Sequence, residues 1–242
     1  MKRVLQAALL ALTGAGLLQV ALFTEVFLRY VKEGMRPLLI VSGVVLLLLG
    51  IAEAWAAYRH REPAEDSHGS HGSHVPRVAW LLFLPALSLL LYAPPELGSY
   101  TASREPPKAV AATPDDGFDP LPATSPLPIT LGDFASRVQQ DRTKAIARRP
   151  VTMSGFVTPT STADEWYLTR LILSCCAADA QSVKVKVYGV RPPKADTWVS
   201  ITGTWHTTGA LGTPSAEVSL DARTLKKIDR PSNGYQDALP LG

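Results

Sequence analysis

Both cysteines of the 242-residue chain are neighbours, Cys175 and Cys176, within "YLTRLILSCCAADA". Adjacent thiols have three uses. They can close a vicinal disulfide, whose small ring strains the intervening peptide and is easily reduced. As thiolates they can hold zinc or copper, since sulfur favours soft and borderline ions. They can also be small packed residues of a strand, one on each face. Asp179 lies just beyond the pair, and His206 ends a later β-like segment. Cys175, Cys176, Asp179 and His206 make a mixed metal site if the fold brings His206 to the turn.

A second set of donors lies far upstream. In "RHREPAEDSHGSHGSHVPR", His68, His71 and His74 recur every third residue with Gly-Ser between them. Neutral imidazoles bind zinc, copper or nickel, and the glycines let the loop fold around one ion. A flexible loop loses entropy on ordering, so this pattern suits exchangeable binding rather than tight structural zinc. The alternative is a solvated polar loop. "PDDGFDP" has the acids of a calcium loop without its remaining ligands, and reads as a solvated turn.

Lipid must surround much of what carries these groups. Three apolar runs occupy the first hundred residues: Val4–Phe27, Leu38–Tyr58 and Val78–Tyr92. The first exceeds a signal-peptide core and lacks a clear cleavage site. The second has the roughly 20 residues that cross a bilayer core. The third is shorter and contains Pro85. All three are predicted transmembrane helices, so residues 1–97 form a membrane domain with the His-rich loop at 59–77. Glu25 and Glu53, near the ends of apolar runs, fit interfacial depth better than a pathway. The distribution of Lys and Arg leans towards a cytoplasmic N-terminus. That places the C-terminal domain outside the cell membrane, where free thiols oxidise unless protected.

Residues 98–128, rich in Pro, Ala, Thr and Asp, read as an extended linker. "TLGDFASRVQQDR" predicts a short helix capped by Thr130 or Asp133, with Leu131, Phe134 and Val138 on one face. Five candidate strands follow: 151–158, 166–174, 182–190, 198–206 and 216–221. In "SVKVKVYGV" the valines point inward, and Lys184 and Lys186 face water. Gly203, inside "WVSITGTW", marks a bulge. This pattern predicts a small all-β domain over 129–230, an OB-like barrel with one short helix, and a tail at 231–242.

No Ser/His/Asp spacing, nucleophile elbow, phosphate loop or paired carboxylates are present, so no enzyme is expected. Arg148, Arg149, Arg170, Lys184 and Lys186 can line an anion groove but fit an ordinary solvated basic face. A net charge of +3 gives no reason to expect nucleic acid.

Three stretches carry a resemblance: "YLTRLILSCCAADA", the later "WVSITGTW", and "RYVKEGMRPLLIVSG" between the first two helices. Together they resemble the YcgQ-like family of bacterial membrane proteins, regarded as subunits of a two-component permease. The resemblance implies a membrane-anchored accessory protein that works with a larger permease. Cys175, Cys176, Asp179 and Arg170 match the family's motif positions. The chain departs from that pattern at "PSNGYQ", where a Pro-Tyr-like closing element is expected.

The sequence thus predicts a multi-pass protein of the plasma membrane. Its partners are the lipid bilayer and a larger permease, and three helices are few enough to imply such a partner or a homo-oligomer. The leading expectation is transport of a metal ion or thiol-reactive solute, with zinc or copper as the cofactor to test. The rivals are an envelope binding module with structural cysteines and a membrane-tethered thiol redox protein.

Overall fold

The structure is a computed structural model, and it describes residues 2–59, 96–105, 117–160, 162, 165–232 and 234–240. The chain divides into two compact units, Met1–Glu96 and Leu97–Gly242.

The first unit is a helical hairpin, α1 (Lys2–Phe23) and α2 (Arg36–Arg59), joined by two 3-10 turns at Val26–Arg29 and Glu33–Met35. Two stretches are long and apolar enough to cross a membrane: Gln6–Phe23 in α1, and Glu33–Arg59, which joins the second 3-10 turn to α2. The third apolar run and the His-rich loop lie outside the described residues. Hydroxyls inside the hairpin are satisfied locally: Thr13 Oγ1 donates to Leu9 O and Ser42 Oγ to Leu38 O, each at 2.8 Å. This matters where water is absent. Arg36 opens α2, ahead of Pro37 in the first turn, where a missing N–H costs nothing. Its guanidinium reaches back to cap α1, donating to Ala21 O at 2.8 Å and Leu22 O at 3.3 Å. The two backbones approach closely along a seam of small residues. A Cβ on Gly50 would lie 2.8 Å from Ala11 N, and one on Gly14 would lie 2.7 Å from Leu47 N.

The second unit is the predicted barrel. Its strands are β1 (Leu127–Pro128), β2 (Val151–Pro159), β3 (Trp166–Ile172), β4 (Gln181–Tyr188), β5 (Trp198–Trp205) and β6 (Ser219–Lys227). Their order is β1-β2-β3-β4-β6-β5, and β2 also pairs with β5, which closes five strands into a barrel. β2 pairs with β5 over Val151–Phe156 and with β3 over Phe156–Pro159, so it turns a corner at Phe156. The register of β5 and β6 shifts between Thr202 and Gly203, the bulge that the glycine marks.

Inside lie Val151, Met153, Val157, Trp166, Leu168, Val185, Val187, Val199 and Ile201. The helix α4 (Leu131–Gln140) plugs this core with Leu131, Phe134 and Val138. It shares the core because these residues recur at helical spacing. Thr130 Oγ1 caps it by accepting from Asp133 N at 3.1 Å. Trp166 is fully buried and donates from its indole nitrogen to Val190 O at 3.1 Å.

Two expectations about the surface change. The Pro-rich segment does not run free at its described ends. Leu97–Glu105, including the short helix α3 (Ser99–Arg104), packs on the outer face of β2 and β3. It forms a second apolar cluster of Ala102, Phe156, Leu171, Leu173 and Tyr235. Glu105 then covers the outer face of β4: its Oε2 accepts from Ser182 N at 3.2 Å, and its carbonyl accepts from Lys184 Nζ. Lys184 is therefore buried, only 8% exposed, rather than facing water. Burial lowers its pKa, and Glu105 opposes that shift. Lys186 keeps the expected outward position, paired with Glu165 at 3.2 Å and Glu217 at 3.6 Å.

The last strand is also longer than expected, Ser219–Lys227 against a predicted 216–221. Arg223, Thr224, Lys226 and Lys227 are exposed. With only one half of the strand in the core, the apolar alternation stops long before the hydrogen bonding does.

Candidate functional site: the cysteine turn

β3 delivers the chain to Leu173, which is buried in the second cluster. Ser174 and Cys175 then emerge into solvent, and Cys176 is half-buried. A single 3-10 turn, Ala177–Asp179, follows before β4 begins. Both thiols are free.

Asp179 builds this turn. Its Oδ1 accepts from Ser174 N at 2.9 Å and from Cys176 N at 3.4 Å, while its Oδ2 accepts from Cys175 N at 2.7 Å. The Cys176 sulfur accepts in return from Asp179 N, a capping box with cysteine in place of serine. The Cys175 thiol also interacts with this carboxylate. Three backbone donors converge on one carboxylate, which has little left to offer a metal. Its pKa is lowered, first by the Cys175 thiol and then by the three backbone groups, which together outweigh its desolvation. Cys175 moves the other way, up to about 11, because losing its proton would set a thiolate against Asp179 and Cys176.

His206 does not join this turn. Its Nδ1 lies 2.7 Å from Asp221 Oδ1, and its ring stacks on Tyr188 with centroids 4.2 Å apart. Tyr188 closes β4, whereas the cysteine turn adjoins Gln181 at the start of that strand. Seven residues of strand separate the two by roughly 23 Å. The predicted set of Cys175, Cys176, Asp179 and His206 is thus split between the two ends of one strand. Among the described residues, no three His, Cys, Asp or Glu side chains are grouped to hold a metal ion. His68, His71 and His74 lie outside the described residues.

Arg170 does not line the turn. It is 1% exposed. Its Nε and Nη2 donate to Ser154 O and Oγ at 2.8 and 2.7 Å, and its Nη1 donates to Gln236 O at 3.0 Å. The guanidinium lies 4.9 Å from the Trp198 ring. Burial lowers its pKa, and Asp237 opposes that shift. Arg170 therefore bridges β2, β3 and the C-terminal segment where the β2–β3 ladder parts.

That C-terminal segment escaped the sequence reading. Tyr235 O accepts from Leu173 N at 3.2 Å, and Tyr235 Oη donates to Leu97 O at 3.1 Å. Asp237 accepts from Leu131 N and Gly132 N at 3.1 and 2.8 Å, filling the open N-terminus of α4. The available signal was an aromatic and an acid in a tail that otherwise reads as polar. The spacing of Cys176 and Asp179, N-cap to third helical position, was the corresponding signal for the turn.

No curated protein and no solved structure matches the chain. A family model does: residues 134–236 match the DUF1980 C-terminal domain, from α4 through the barrel to the strap at Gln236. The chain therefore carries a DUF1980 C-terminal domain.

Proposed function

We propose that this protein is a membrane-anchored accessory subunit of a larger permease, and that its barrel presents Cys175 and Cys176 to a soft metal ion or thiol-reactive solute. One observation carries this reading. Asp179 spends its carboxylate on the turn itself and leaves the two sulfurs at or near the surface. Buried structural cysteines need no such scaffold. With two sulfurs and no third described ligand, the site suits an ion of low coordination number, or one whose shell a partner completes.

The hairpin anchors the barrel in the plasma membrane, and the barrel works on the extracytoplasmic side. The histidine loop collects or senses the same class of ion on the other side. Two or three helices are too few to enclose a path, which is the reason to invoke a permease partner.

The test uses the full chain in detergent, reduced under anaerobic conditions. Phenylarsine oxide, which bridges neighbouring thiols, and Cu(I) are the probes. Both should bind at one equivalent, and Cys175→Ser/Cys176→Ser should abolish binding without changing the circular dichroism. Retention of both probes by the double variant would remove the cysteine turn from any such role. Co-purification from native membranes tests the partner separately: a stoichiometric integral membrane protein is expected, and its repeated absence overturns the accessory reading.

A further inference from the structure

The barrel is docked to the chain that brings it from the bilayer, and the docking point selects one end of it. Gly98 and Ser99 follow the third apolar run almost directly. Ser99 N and Oγ donate to the two carboxylate oxygens of Asp196 at 2.6 and 2.8 Å. Asp196 sits in the β4–β5 loop with φ +62°, and its N–H donates to Val157 O at 3.0 Å. The loop therefore holds the entering chain rigidly against the end of β2.

That loop and the strand beside it are basic. Arg191 and Lys194 lie in the loop. Lys227 is opposite Val199 in register, Lys226 is opposite Ser200, and Ile228 N donates to Trp198 O at 3.0 Å. All four cations are exposed, and none of their side chains has a hydrogen bond, ion pair or ring contact among the described residues. Asp229 is the exposed acid nearby in the chain, and the Asp196 carboxylate is occupied by Ser99. Four free cations thus lie at the end where the chain leaves the lipid.

We infer that this end of the barrel, through Arg191, Lys194, Lys226 and Lys227, rests on anionic lipid headgroups of the protein's own bilayer. The inference depends on the membrane-anchored reading, and on Val78–Tyr92 as a span. Each cation near an anionic surface strengthens association by roughly fivefold, and the attraction fades within a Debye length. Four of them on a tethered domain suffice to fix its orientation without any buried contact.

The molecule supplies its own control. Arg142, Lys144 and Arg148 are equally exposed and free of partners, in the loop between α4 and β2. That loop meets β2 at Val151, six residues and roughly 20 Å of strand from Val157. It should stay in solution.

The experiment uses the full chain with Cys175→Ser and Cys176→Ser, reconstituted in nanodiscs of phosphatidylcholine with or without about one-third phosphatidylglycerol. A single fluorescent label is placed through Ala195→Cys, Ala147→Cys or Ser88→Cys. Headgroup spin-labelled lipid should quench the label at 195 at least twofold more than the label at 147, in the anionic discs only. The excess should vanish at about 0.5 M salt, and in a chain carrying R191E, K194E, K226E and K227E. It should survive R142E, K144E and R148E. Equal quenching at 195 and 147 overturns the inference if the label at 88 is quenched by mid-chain spin labels. If the label at 88 is not quenched, the span and the inference fall together. Excess quenching that persists in phosphatidylcholine or high salt also overturns it, since lipid charge would then be irrelevant.

Discussion

The proton on Cys175 belongs to the turn. Removing it would set a thiolate beside the Asp179 carboxylate. The sign of the linkage follows. Cys175 is raised from an ordinary value near 9 to about 11, so its contribution to the turn is complete below pH 9 and is lost as pH climbs to 11. Asp179 is lowered, so its contribution is present above its ordinary value near 3.8 and is lost as pH falls through the depressed one. The turn is thus ordered across the neutral range. The Cβ resonance of Cys175 should titrate near pH 11, and Asp179→Asn should bring that midpoint down by at least about one unit, with a similar tenfold gain in alkylation by iodoacetamide at pH 8. A wild-type midpoint near that of a free thiol would remove the Cys175–Asp179 bond from the account. A metal held by both sulfurs must displace both thiol protons, so affinity should rise about a hundredfold per pH unit where both thiols are protonated.

Among the elements, the hairpin rests on backbone proximity more than on side-chain bulk. Gly50 faces Ala7 O and Ala11 N so closely that any Cβ must push α1 and α2 apart. Gly16, on the same helix as Gly14, has open space around it. Gly50→Leu should lower hairpin stability by roughly 1–3 kcal/mol, read as an earlier midpoint when sodium dodecyl sulfate is titrated into mixed micelles. Gly16→Leu should leave the midpoint unchanged, and equal losses would mean the seam is not where the helices meet. The helices themselves were legible because long uncharged runs have few other solutions, and the barrel was legible through Val183, Val185, Val187 and their counterparts. The seam was not, since a small residue signals close packing only once its partner is known. β6 was half-legible: its apolar part enters the core, and its remainder is held by backbone bonds that leave no mark on composition. Asp179 and Arg170 were legible as residues, and the hydrogen bonds they make were not. An acid beside thiols looks like a ligand until the turn shows its carboxylate aimed at backbone N–H groups.

For the whole molecule, the decisive arrangement is long-range closure of the barrel's outer face. The segment that enters the second unit, Leu97–Glu105, and the segment that ends it, Gly234–Asp237, meet over Phe156, Leu171 and Leu173. Tyr235 binds both, through Leu97 O and Leu173 N, while Gln236 accepts from Arg170 and Asp237 caps α4. Losing the strap would uncover the second cluster, free the N-terminus of α4 and remove one of the three acceptors of a buried guanidinium. Burial of an aromatic ring is worth about 2–3 kcal/mol, a helix cap about 1 kcal/mol and the charged hydrogen bond about 1–2 kcal/mol. A chain lacking residues 232–242 should therefore lose roughly 4–6 kcal/mol, a large share of a typical domain's stability, seen as a lower urea midpoint for the Trp fluorescence transition. The loss should also be local before it is global. Arg104 ends α3 and is exposed, so trypsin can cut after it once α3 lifts from the sheet. Truncation should speed that cut well below the unfolding midpoint, and Tyr235→Phe, which removes only the bond to Leu97, should speed it to a lesser degree. If cleavage after Arg104 stays as slow in the truncated chain as in the intact one, then α3 is held by Asp196 and Glu105 alone, and the tail is not the latch that closes the barrel.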